Sequence, residues 1–176
     1  RASQGYFDHV NYSPQVPIES LDPMIFSTDF DTLEIFNSPN YFCKNFQDWQ
    51  GLLNQGLRVT AIGNSDTHSR NDVPGYPRNY LKTLAPNPVN VTAAEITDSV
   101  RKGAVTMGGG AMMDFPTGTQ PGDTISVNDG AITLHVRVQT PSFTKVDRLM
   151  VIANGLLILD QPINSSTEDI VDFDEN

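Results

Sequence analysis

The segment Gly63-Asn64-Ser65-Asp66-Thr67-His68-Ser69 carries the residue types and spacing best suited to chemistry in this chain. A carboxylate and an imidazole two residues apart, at the end of a β-prone run, can face one cavity and hold one or two divalent metal ions. Mixed oxygen and nitrogen donors suit Zn, Mn or Fe. A metal held in this way polarises a substrate oxygen and lowers the pKa of bound water, which is hydrolytic chemistry. A bare Asp-x-His is also a common tripeptide, and an Asx-turn in a solvated loop explains it with no metal at all.

The other candidates each have a plain structural counterpart. Arg78, after Pro77, offers a bidentate fork to a substrate phosphate, or else an ordinary surface salt bridge. Asn37 ends a β-prone run on the same presumed face, where it can orient substrate or water, or cap the local turn. Glu34 is expected to face a polar layer or a partner rather than a metal. Trp49 reads as helix-face core, and His135 as solvent-facing on the polar phase of its strand. Gly108-Gly109-Gly110 lacks the Lys-Ser/Thr and the helix that a phosphate loop needs, so it is not a nucleotide site. The lone cysteine, Cys43, sits beside Tyr41 and Phe42 and reads as a small buried hydrophobe; one cysteine excludes an internal disulfide and a cysteine-rich zinc module.

These side chains need elements to position them. Thr32–Phe36 is a β-prone run, Asn45–Gln55 places Phe46, Trp49, Leu52 and Leu53 on one helical stripe with Gly56 as its C′ residue, and Leu57–Ile62 is a second β-prone run. Strand, helix, strand at this spacing predicts a parallel βαβ unit, with the 64–68 loop at a C-terminal strand end, where α/β folds gather their sites. Near residue 90 the pattern changes. Thr92-Ala93-Ala94-Glu95 is a capping box opening a helix to about Lys102, ended by Gly103. Strands are then expected at 104–107, 112–115 and 132–139, and Asn154-Gly155 is a type I′ hairpin signal between 146–153 and 156–160. The reading is α/β over residues 1–103, with an irregular Pro-bearing opening at 1–28. A small antiparallel β-sandwich-like module follows over 104–176 and ends in an acidic, solvated tail from Asn164.

The totals narrow the function classes. With 176 residues the chain can bury a real core. A formal charge of -10 argues against nucleic acid and anionic membrane as partners, since both need a positive face. No apolar run approaches the ~20 residues of a membrane span. Low Lys content beside many Asn and Thr leans toward export but leaves the compartment open.

From Asp31 to Tyr80 the chain resembles the C-terminal half of a PHP-type (polymerase and histidinol phosphatase) metallohydrolase of the CehA/McbA branch. The resemblance rests on Leu33-Glu34-Ile35-Phe36-Asn37, on Asp48-Trp49 with Leu52-Leu53, on Gly56 to Ala61, on Gly63 to His68 and on Gly75-Tyr76-Pro77-Arg78. The stretch from Ala104 to Gly155, with Pro121-Gly122-Asp123-Thr124, is similar to the β-rich tail of that branch. The resemblance implies the C-terminal part of a distorted (β/α)7 barrel. It also implies a cluster of two or three divalent ions hydrolysing a small-molecule phosphate ester, with Asp66 and His68 as ligands. The remaining ligands of that family, mostly His with a Glu, are expected from an N-terminal part of the same protein; of the other histidines, neither His9 nor His135 lies in a matching motif. The chain alone is therefore expected to be inactive. Two rival readings stand beside this one: a non-catalytic binding module, and the same fold acting on carboxyl ester or carbamate bonds.

Overall fold

A computed structural model describes residues 17–24, 26–37, 43–127, 130–141, 143–144, 146–163 and 170–175. In chain order the elements are β1 (Thr32–Asn37), α1 (Cys43–Asn54), β2 (Thr60–Asn64), β3 (Arg78–Leu81), α2 (Ala93–Lys102), β4 (Val105–Gly108), β5 (Met112–Asp114), β6 (Leu134–Gln139), β7 (Arg148–Ala153), β8 (Leu156–Pro162) and β9 (Ile170–Glu175). Expectations for residues 1–16, His9 among them, and for the Cys43 side chain with Tyr41 and Phe42, fall outside the described residues.

The βαβ unit is built as its periodicities require. β1 alternates Leu33 and Ile35 inward with Glu34 outward, and pairs in parallel with β2 from Thr32↔Thr60 to Asn37↔Asn64, with a bulge between Glu34 and Phe36. Leu52 of α1 closes over Leu33, Ile35, Val59 and Ala61, all under a tenth exposed, with Phe46 and Trp49 packed at the margin. Burying each of the larger of these aliphatic side chains is worth about 1.5–3 kcal/mol. The indole Nε1 of Trp49 donates to the Val59 carbonyl at 2.7 Å, so α1 is pinned to the entry of β2 by a hydrogen bond as well as by packing. α1 ends in a Schellman turn: Gly56 N–H donates to Leu53 O and Leu57 N–H to Leu52 O. That turn engages Leu57, and the second strand begins at Thr60, three residues after the sequence expectation.

The barrel expectation does not hold. Among the described strands only β1 and β2 run parallel; the remaining pairs, β3–β4, β5–β6, β6–β9 and β7–β8, are antiparallel. Among the described residues two α-helices and four small sheets make a mixed α/β architecture, and no barrel closes. The physical reason lies after β2. A barrel needs another helical crossover there, but the chain turns through a loop into β3, which pairs with β4 from beyond α2. Strand pairing therefore runs across residue 103. The β-rich part forms a three-stranded sheet, β5-β6-β9, and a separate hairpin, β7-β8.

Smaller corrections follow the same logic. Thr92 caps α2 by accepting from Glu95 N–H at 3.2 Å, but Glu95 does not return the bond; its carboxylate accepts from Leu84 N–H at 2.6 Å and Ala85 N–H at 3.1 Å. The capping box is half closed because a neighbouring loop presents two amides to the Glu. His135 is half-buried rather than solvent-facing. Part of the acidic tail forms a strand, Ile170–Glu175 pairing with β6, while residues 164–169 and 176 lie outside the described residues. The hairpin turn is as expected, with Asn154 and Gly155 both at positive φ (52° and 79°). A Cβ on Gly109 would lie 2.6 Å from the Tyr76 ring, so part of the glycine run serves close packing. Among the described residues no helix is long and apolar enough to cross a membrane.

Candidate metal-binding loop

The loop leaves the C-terminal end of β2 between two supports. On one side Glu34 uses both carboxylate oxygens, accepting from Asn37 Nδ2 and from Asn64 Nδ2 (2.7 Å), while its carbonyl accepts from Asn45 Nδ2 at 3.2 Å. Glu34 thus joins the ends of both parallel strands. On the other side Asn79 of β3 binds Gly63 reciprocally: Gly63 N–H donates to Asn79 Oδ1 and Asn79 Nδ2 donates to Gly63 O, each at 2.8 Å. The side-chain amide takes the place of a neighbouring strand for one residue. Space around Gly63 is tight, since a Cβ would come within 3.2–3.3 Å of Phe36 and Pro77.

Beyond Asn64 the backbone turns sharply. Asp66 adopts φ 48°, the left-handed region that Asp tolerates better than most residues. This turn folds the Asp66 carbonyl toward the imidazole of His68, whose Nδ1 lies 2.5 Å from it and 3.3 Å from Asp66 Oδ1. A carbonyl only accepts, so Nδ1 carries the proton and the Nε2 lone pair remains available to a metal. Metal-binding histidines are commonly oriented by such a carbonyl. The Asp66 carbonyl, then its carboxylate, hold the His68 pKa above its ordinary 6.5. Asp72 braces the loop from below, its Oδ2 accepting from His68 N–H at 2.7 Å and Ser69 N–H at 2.6 Å; those two amides hold its own pKa below 3.8.

Asp66 and His68 are thus brought together, but on open surface: their side chains are 53% and 76% exposed. The expectation of a shared cavity is not met. Two cavities among the described residues, of about 350 and 200 Å³, lie over the start of β2 and beside β3–β5, and neither is lined by Asp66 or His68. As a donor set the pair fits the edge of a metal site rather than a whole one. Among the described residues no group of three or more His, Cys, Asp or Glu could hold an ion. Asp72, the nearest further carboxylate in the loop, already serves two amides.

The two other candidates flank the loop. Asn37 pairs in register with Asn64, and its amide is given to Glu34. Arg78 opens β3, exposed, with Nε donating to Gly75 O at 2.7 Å, and its neighbour Asn79 makes the contact to Gly63. Sequence reasoning missed the bracing roles of Asn79, Asp72 and Asn64. For Asp72 a signal existed, since Ser69-x-x-Asp72 has the spacing with which an acid reaches back to local amides. Asn79 gave none, because its partner lies sixteen residues away. Comparison with protein-family models, curated proteins and solved structures finds no match for this chain.

Proposed function

We propose that the Asn64–His68 loop supplies the Asp66 and His68 ligands of a divalent-metal site that hydrolyses phosphate esters, its other ligands coming from outside the described residues. The observation that carries this reading is the preset imidazole: Nδ1 of His68 is engaged by Asp66 O at 2.5 Å with Asp66 Oδ1 3.3 Å from the same nitrogen, on a side chain 76% exposed, so the proton sits on Nδ1 and the Nε2 lone pair is left for a metal. Zn, Mn or Fe, as two or three ions in the complete site, would polarise the phosphoryl oxygen and acidify bound water. An Asp66 oxygen and His68 Nε2 are the donors this chain would contribute. Arg78, at the start of β3, is the cation nearest in sequence order to the Asn79 support, and it would meet the phosphate. Asn37 would orient substrate through the Glu34 bridge.

The test has two parts. Zn titrated into the isotopically labelled chain should shift the His68 Nε2 resonance, and Asp66→Ala should weaken that response. The same chain with Zn or Mn and a chromogenic phosphodiester should show no turnover, because two ligands do not hold a hydrolytic cluster in water. An unchanged His68 resonance, or clear turnover by the chain alone, contradicts the proposal. Carboxyl esters and carbamates tried beside the phosphodiester on the complete protein decide the bond type. A non-catalytic binding role is favoured by one observation, the exposed Leu156, Leu157 and Ile158 of β8. Under that role the double substitution Asp66→Ala with His68→Ala would leave partner binding intact.

A further inference from the structure

The larger of these two cavities lies away from the metal loop, none of whose residues lines it. Its floor is the start of β2 with Val59, and Met107 of β4; Trp49 of α1 forms one wall and the end of α2 another. Its volume, about 350 Å³, falls within the range of small-molecule sites. The charge of its lining is opposite to that of the chain. Among the described residues Arg58, Arg101 and Lys102 line it and no Asp or Glu does, in a protein of formal charge -10. Arg58 is held by neutral acceptors, Thr124 Oγ1 at 2.7 Å and the Gly122 carbonyl, and among the described residues it makes no ion pair, so its position is fixed without a counter-charge from them. Lys102 makes no ion pair among the described residues; Arg101 is shared with Asp31 at 3.2 Å. The Trp49 ring is fixed by its bond to Val59 O.

We infer that this cleft is a second binding site, for a small anionic molecule with a flat apolar body, such as an aromatic phosphate or carboxylate. The apolar floor and the indole take the body, and Arg58 with Lys102 takes the anion. An electropositive recess in a chain of net negative charge concentrates small anions locally, and a guanidinium without an acidic partner among the described residues offers a paired fork to their oxygens. The site is independent of the metal proposal, since it sits at the opposite end of β2.

Trp49 is the sole tryptophan of the chain, so its emission reports on this cleft alone. Phenyl phosphate and benzoate are titrated against the chain, with benzyl alcohol as the neutral analogue. Saturable quenching by the anions, about tenfold tighter than by benzyl alcohol and weakened by added salt, is expected; which anion binds tighter decides phosphate against carboxylate. Lys102→Gln and Arg58→Gln, both on exposed side chains, should each raise Kd about three- to tenfold with the circular dichroism spectrum unchanged. Asp66→Ala with His68→Ala should leave the titration as it was. Quenching that does not saturate, benzyl alcohol binding as well as the anions, or titrations indifferent to both cation substitutions but altered by the metal-loop pair, would overturn the inference.

Discussion

Replacing Asn79 with Ala tests whether a single side-chain amide holds the end of β2. The substitution removes two hydrogen bonds, both of 2.8 Å, and leaves the N–H and C=O of the buried Gly63 without those partners. Each bond contributes about 0.5–1.5 kcal/mol net, and each stranded buried group costs about 1–3 kcal/mol. Asn79 is half-buried, so water can enter the vacated space and recover part of the loss. The expected destabilisation is about 2–4 kcal/mol, or about 4–16 °C in Tm for a chain of this size. Urea unfolding followed by Trp49 emission measures it. Asn79→Asp is the informative companion. Its carboxylate keeps the acceptor for Gly63 N–H but faces the Gly63 carbonyl, while the protonated acid can donate to that carbonyl. Folding thus raises the pKa of the introduced acid, and the deficit of Asn79→Asp relative to wild type should grow as pH rises through and above the carboxylate range. An Asn79→Ala loss under about 0.5 kcal/mol, or an Asn79→Asp deficit flat with pH, would refute the account of β2 given above.

Other outcomes follow from the same geometry. His68 should titrate above 6.5 by NMR, because Asp66 stabilises the imidazolium. Its contribution to stability is full below 6.5 and lost as pH rises through the raised value, whereas Zn binding needs the neutral ring and strengthens over that same rise; titration at or below 6.5 would remove the basis for both. Asp72→Ala should speed hydrogen exchange of the His68 and Ser69 amides, and in the wild type that bracing persists above 3.8 and fades as pH falls through the depressed Asp72 value; unchanged exchange counts against the brace. Gly122→Ala should cost about 2–5 kcal/mol, because Gly122 sits at φ 85° with its Cβ position 2.0 Å from the Lys102 carbonyl oxygen, backbone against backbone; thermal denaturation within a degree of wild type would contradict that contact.

Features settled within a turn or two of chain were legible from the residues alone. The α1 stripe with Gly56, the Thr92 cap and Gly103 end of α2, the Asn154-Gly155 hairpin and the parallel β1–α1–β2 unit all follow from local spacing, because capping, helical periodicity and turn conformation are short-range physics. The adjacency of Asp66 and His68 belongs to the same class, since two residues flanking one turn have little freedom to separate.

Long-range competition decided the rest. Glu95 sits at the capping-box position, yet it serves Leu84 and Ala85, because folding delivers two open amides to it. Glu34 was expected to meet a polar layer, but only the β1–β2 register shows that the layer is Asn37 and Asn64. The pairing of β3 with β4, and of β9 with β6, sets apart this mixed architecture from a closed barrel. Strand edges carry backbone donors and acceptors of one kind whatever their sequence, so partner choice rests on which apolar faces can be buried together. The cleft beneath Trp49 arises in the same way, from residues on α1, β2, β4 and α2 that only packing brings to one place.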